Sequence, residues 1–321
     1  MARPLTPRAA GRSRLDLDDV PADVRSWLDE ALGSPVVSAQ TRMGGFSPGV
    51  AARVVGADGR RGFVKAVGDE VNSHTPDLFR HEIAVLSVLP EVPYRATLLA
   101  SYDDGSWVAM LLDDVEGAFP DLDDDRDMAV VHEAVVAQCA ELTPDPVGLQ
   151  GPDLAESAVR WHRLVERTID EDPSHFPGWF VSERDAVLAR LASLPDRLPA
   201  ESWVHLDVRD DNLLVRPDGS AVVLDWGMSR SGPSWTDQVL LAAHRVDRPV
   251  FDDLVSGLAA YGASAQRGAG LQDDVTDLLL ALGGSLAALR DRPVPGLPDI
   301  DEFRRREQVR LLEGARRRLG A

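Results

Sequence analysis

Apolar positions change their period along the chain. Between Pro21 and Leu32, Val24, Trp27, Leu28, Ala31 and Leu32 recur at helical spacing, with proline at the start and Gly33 just past the end, which predicts one leading helix. From Val36 to about Leu112 the texture becomes short β-branched runs broken by turn signals. Asp58-Gly59 separates VAARVV from GFVKAV, and Asp103-Asp104-Gly105 separates TLLASY from SWVAMLL, so two hairpins of an antiparallel sheet are expected. Between them, Leu78, Ile83, Val85, Leu86 and Val88 predict a helix over 76–89 packed on that sheet. Helical patterns then dominate, at 126–142, 153–170, 182–194, 236–261, 271–290 and 299–319, interrupted by a strand-rich insert from Trp203 to Trp226.

This pattern divides the chain into a disordered tail (1–18), a sheet-bearing lobe (19–112), an acidic connector (113–125) and a helical lobe (126–321). The tail carries Arg3, Arg8, Arg12 and Arg14 but lacks the apolar stretch of a secretory signal. The 321 residues suffice for a real core, and 44% hydrophobic with 27% charged residues is ordinary for a globular protein. A net charge of −19 repels phosphate backbones and anionic headgroups, so neither nucleic acid nor a membrane is an expected partner, while a cationic small molecule would be attracted. Cys139 is the only cysteine, which rules out an intrachain disulfide and suits a cytoplasmic, reducing location.

The strongest local signal is His205-Leu206-Asp207-Val208-Arg209-Asp210-Asp211-Asn212-Leu213-Leu214-Val215, followed by Val222-Val223-Leu224-Asp225-Trp226-Gly227. The turn Arg216-Pro217-Asp218-Gly219 closes the two apolar runs into a hairpin and brings Asn212 and Asp225 to one end of paired strands. Magnesium favours such carboxylate and amide oxygens together with phosphate oxygens. Asp207, five residues before Asn212, can reach a substrate hydroxyl and orient it or accept its proton. Turn-forming Asp and Asn residues are the plain alternative, but turn chemistry does not require this spacing.

HLDVRDDNLLV and VVLDWG resemble the catalytic loop and metal-binding segment of the aminoglycoside phosphotransferase and choline kinase family, a branch of the protein-kinase-like superfamily. Leu206 departs from the glycine or arginine common there. The resemblance implies an α+β, two-lobed protein-kinase-like fold, with Asp207 as catalytic base, Asn212 and Asp225 as magnesium ligands, and His205 as a support for the loop. Arg209, two residues after Asp207, reads as a cation near the transferring phosphate, against a plain surface role.

Gly44-Gly45-Phe46-Ser47 is a glycine-rich turn feeding a strand, where backbone amides can approach phosphate. Alone it is an ordinary hairpin turn, and no P-loop follows. Lys65 lies inside the apolar strand GFVKAV, and Glu82 on the next helix fits its partner, as in kinases that hold the α and β phosphates this way. Asp113 and Val115 follow the last strand, where connector backbone would meet adenine. Asp237 is either a structural aspartate of the family or a helix cap, and His162 and His175 receive no role. The expected function is ATP- and magnesium-dependent phosphorylation of a small-molecule hydroxyl. An aminoglycoside or amino-sugar comes first, with choline-like alcohols, sugars and macrolides as rivals and a non-catalytic nucleotide-binding module as the alternative from another class.

Overall fold

The computed structural model describes residues 14–42, 48–148, 151, 153–258 and 269–320. Residues 1–13 of the expected tail and Gly44, Gly45 and Ser47 lie outside these. The tail expected up to residue 18 is already structured before it: Leu17–Asp19 form a 3-10 turn and Leu17 is buried.

The chain forms two compact units, and they do not follow chain order. The first contains the described residues up to Gln138, Asp207–Ser229 and Pro293–Asp299. Helix α1 (Ala22–Leu32) opens it and ends on Gly33 at φ 75°, a left-handed position that glycine occupies without strain. The sheet follows: β1 (Val36–Thr41), β2 (Val50–Gly56), β3 (Arg61–Gly68), β4 (Leu98–Asp103) and β5 (Trp107–Leu112). All pairings are antiparallel, in the order β1-β2-β3-β5-β4, with α2 (Thr75–Val88) between β3 and β4 in sequence.

Alternation gives this sheet two distinct faces. Val50, Ala52 and Val54, Val64 and Ala66, and Trp107, Ala109 and Leu111 share one core with Val24, Leu28 and Leu32 of α1. The register pairs Ala51 with Lys65, Arg53 with Phe63, Phe63 with Leu112, and Lys65 with Met110, so these residues belong to the other face. Gly49 enters β2 so close to β3 that a Cβ there would sit 2.2 Å from the Ala66 carbonyl oxygen, which explains the glycine just before β2.

β7 (Leu213–Val215) and β8 (Ala221–Val223) form the expected hairpin, with Gly219 at φ 86° in its turn. It joins the first unit because its edges are stitched to segments flanking the sheet. Val215 and Ala118 exchange backbone hydrogen bonds of 2.8 and 3.0 Å, and Val223 N–H donates to Tyr94 at 2.9 Å.

The second unit contains Cys139–Leu206, Arg230–Arg292 and the described residues from Ile300. Its helices are α4 (Leu154–Glu171), α5 (Gly178–Ser182), α6 (Arg184–Ser193), α7 (Thr236–Ala242), α8 (Val250–Leu258), α9 (Ala269–Ala288) and α10 (Ile300–Leu319); α3 (Asp125–Glu141) ends in it. Val165, Phe180, Leu191, Val239, Leu278 and Leu312 are among its core residues. The helix expected over 236–261 is broken into α7 and α8, because Pro249 disfavours helical backbone at Arg248 and lacks an amide donor. β6 (Ser202–Val204) pairs with β9 (Arg230–Gly232), a strand too short for periodicity to signal. Some of the acidic excess is internal: Asp274 and Asp277 are buried against Arg190 and Arg197. No helix among the described residues is long and apolar enough to cross a membrane.

Candidate active site

Lys65, Glu82, Asp113, Val115, Asp207, Arg209, Asn212 and Asp225 fall in the first unit, whereas His205 and Asp237 fall in the second; apart from the connector residues, the first-unit group forms two clusters joined by the β7–β8 hairpin. In the first cluster, Lys65 Nζ donates to Glu82 Oε2 at 2.5 Å and to Asp225 Oδ1 at 3.1 Å. Lys65 and Glu82 are 6% and 1% exposed, so the ammonium sits between two carboxylates with little water. Burial alone would push the lysine down; the carboxylates of Asp225 and Glu82 outweigh it and hold Lys65 above its ordinary value.

Asp225 takes a left-handed backbone, φ 67° and ψ 74°, uncommon for a side chain other than glycine. α2 fastens the segment that follows. Trp226 N–H donates to Glu82 Oε1 at 3.3 Å, and His81 Nε2 donates to the Ser229 carbonyl at 2.7 Å.

In the second cluster, the Asn212 amide nitrogen donates to the Asp207 carbonyl at 2.9 Å and to Asp207 Oδ2 at 2.8 Å. Both N–H groups are thereby committed, which presents the amide oxygen as an acceptor. Arg209 Nε lies 3.3 Å from Asp207 Oδ1 and 3.1 Å from Asp211 Oδ1. Arg209 is therefore not a surface residue but a brace between two carboxylates of its own loop. Burial raises Asp211 above the usual carboxylate range against the pull of Arg209. The clusters meet where Leu224 N–H donates to the Asn212 carbonyl at 2.8 Å, so Asn212 and Asp225 do share one end of the hairpin.

The connector is pinned instead of loose. Asp113 N–H donates to Thr97 at 3.0 Å, and its carboxylate accepts from Thr97 N–H at 2.5 Å. Burial raises the Asp113 carboxyl. Asp114 is buried under Arg53 and Arg61, and Arg53 also donates to the Val115 carbonyl at 3.1 Å. Arg53 was not singled out from the sequence, although a charge inside VAARVV, two residues from the partner of Lys65, is the kind of signal that marked Lys65.

Asp237 is not a helix cap. Its buried carboxylate accepts from the backbone N–H groups of His205 at 2.8 Å and Leu206 at 2.9 Å. Leu206, at the position where the resembling family commonly carries glycine or arginine, has φ 64°, a left-handed backbone. His175 hydrogen-bonds the Ala287 carbonyl at 3.0 Å within the second unit.

The arrangement suits a magnesium-bound triphosphate. Asp225 and the Asn212 oxygen could supply two hard ligands, and among the described residues no group of three or more His, Cys, Asp or Glu side chains could hold a metal by itself. Magnesium characteristically keeps waters and substrate phosphates for its other positions.

Fold and site together describe a kinase-like phosphotransferase. The chain belongs to the phosphotransferase enzyme family, whose model matches residues 53–272. No curated protein sequence matches it. Among solved structures, the choline kinase LicA from Streptococcus pneumoniae is similar over 92% of this chain and 99% of that one, at 14% identity and a TM-score of 0.61. A thermostable mutant of the aminoglycoside phosphotransferase APH(4)-Ia, in ternary complex with ADP and hygromycin B, is similar over 92% and 98%, at 15% identity and a TM-score of 0.59. An aminoglycoside phosphotransferase from Alicyclobacillus acidocaldarius is similar over 97% and 99%, at 16% identity and a TM-score of 0.57. These likenesses establish the protein-kinase-like fold.

Proposed function

We propose that the protein transfers the γ-phosphate of ATP, with magnesium, to a hydroxyl group of a small molecule. The observation that carries this reading is Lys65 held at once by Glu82 and Asp225, with Asp225 joined through the hairpin to the Asp207–Asn212 pair. A cation fixed by one buried carboxylate and shared with a second is arranged to exchange the second for phosphate oxygens. Glu82 keeps the ammonium aimed while Lys65 takes the α and β phosphates. Asp225 and Asn212 hold the metal, which neutralises charge on the phosphates when bound.

Asp207 is held by Asn212 and Arg209, and each carboxylate oxygen can accept more than one hydrogen bond. One of these oxygens orients the acceptor hydroxyl and accepts its proton as the phosphoryl group departs from ADP. Arg209 balances the charge of the loop and steadies Asp207. Phe63, Met110, Leu112 and Ala51, on the same sheet face as Lys65, form the apolar side of the base site, and the connector backbone at Asp113 and Val115 meets the base edge.

Aminoglycosides and amino-sugars head the acceptor panel. A similarly folded enzyme binds hygromycin B, and a net charge of −19 suits a polycation. Choline-like alcohols come next on the likeness to choline kinase. The test is magnesium-dependent ATP consumption across aminoglycosides, amino-sugars, choline, sugars and macrolides, beside Asp207→Ala. An acceptor-stimulated rate that Asp207→Ala loses by a factor of about 10² or more supports the reading. Failure of the wild-type chain to bind magnesium and ATP would overturn it.

A further inference from the structure

Arg95 lies in the loop between α2 and β4, outside every motif discussed above, and the residue is buried at 4% exposure. It donates to the Pro90 carbonyl at 2.8 Å and lies 4.8 Å from the centre of the Trp226 ring. Its backbone forms a parallel bridge with Val223, two residues before Asp225. A buried guanidinium is costly compared with an apolar side chain of similar size, so its placement over an indole face calls for a reason.

That reason lies in the neighbouring backbone. Asp225 is in a left-handed conformation that must be held from outside. Glu82 holds Trp226 by its amide and His81 holds Ser229 by its carbonyl. Neither fixes the plane of the indole. The attraction between a cation and the face of a ring is directional, and Arg95 supplies that constraint.

We propose that Arg95 is a positioning residue for Asp225, acting through the face of Trp226, and that it sets how well the site accepts magnesium-bound nucleotide. The inference rests on the nucleotide reading above. Arg95 touches neither nucleotide nor metal in this scheme; it keeps the carboxylate of Asp225 where the metal needs it.

The test is calorimetric titration of the full chain with ADP, with and without magnesium, for wild type, Arg95→Met, Arg95→Lys, Trp226→Leu and the Arg95→Met/Trp226→Leu double variant, with a melting curve for each. Arg95→Met should weaken magnesium-ADP binding about tenfold while leaving metal-free ADP binding within about twofold. Arg95→Lys should recover most of the loss, and the double variant should bind no more weakly than Trp226→Leu alone. Loss of metal-free and metal-bound ADP in equal measure, or a lowered melting temperature with unchanged magnesium-ADP affinity, would make Arg95 a residue of the fold only and overturn the inference. Absence of nucleotide binding by wild type would remove the functional reading and this inference together, whereas normal wild-type binding with an indifferent Arg95→Met removes this one alone.

Discussion

Replacing Asp237 by asparagine separates its observed role from that of an ordinary residue at a helix start. The carboxylate accepts from two backbone N–H groups, those of His205 and Leu206, at 1% exposure. A hydrogen bond to a charged group contributes about 1.5–3 kcal/mol. Asparagine keeps one acceptor but turns an NH₂ toward the other donor, so Asp237→Asn should cost about 2 kcal/mol, and Asp237→Ala, leaving two buried donors unsatisfied, about 2–5 kcal/mol. The same two bonds hold Leu206 in a left-handed conformation that carries about 1–2 kcal/mol of strain, so losing them frees the loop to move.

At about 2–4 °C per kcal/mol for a chain of a few hundred residues, the asparagine variant should melt about 5 °C lower and the alanine variant about 10 °C lower. Leu206 immediately precedes Asp207, so turnover should fall further than the folded fraction does, with magnesium-ADP binding retained. Scanning fluorimetry and steady-state kinetics on the same preparations measure both. An Asp237→Asn variant that melts within 1 °C of wild type and keeps its kcat would refute the reasoning, since a residue acting only on the helix dipole contributes no more than about 0.3–1 kcal/mol.

Two further outcomes follow from burial. Lys65→Met leaves the Glu82 and Asp225 carboxylates facing each other without their cation; stability should drop by about 3–5 kcal/mol and nucleotide affinity should be lost, with Lys65→Arg less damaging on both counts, as chemical denaturation and calorimetry would register. Burial pushes the Cys139 thiol well above its ordinary value, so at pH 8 a thiol-specific reagent should leave the native chain unmodified and react with one equivalent after unfolding; rapid labelling of native protein would contradict its placement.

Residues whose partners lie close in sequence were readable from the chain. Asp207, Asn212 and Asp225 sit on one hairpin, so their spacing and a turn signal placed them together before any tertiary contact was known. Lys65 and Glu82, 17 residues apart, were within reach of an argument from strand alternation and helix phase. Hydrophobic periodicity likewise located α1, α2, the sheet and most of the helices, because each must bury one face. It failed where a single residue overrides the pattern, as Pro249 does, and where an element is as short as β9.

Only the folded chain shows where Arg53, His81, Arg95 and Asp211 are held, and only it decides between the two readings of Asp237. A lone arginine or aspartate reads the same in sequence whether solvent or a buried partner receives its charge. The partner of Asp237 is backbone about thirty residues away, and that of His81 is a carbonyl 148 residues away, neither of which has a side-chain signature. Amino-acid order therefore carried most of the groups proposed for phosphoryl transfer, because Asp207, Asn212 and Asp225 lie close along the chain. The supports that hold them in strained backbone depend on distant segments meeting, and that is decided by the packing of the whole fold.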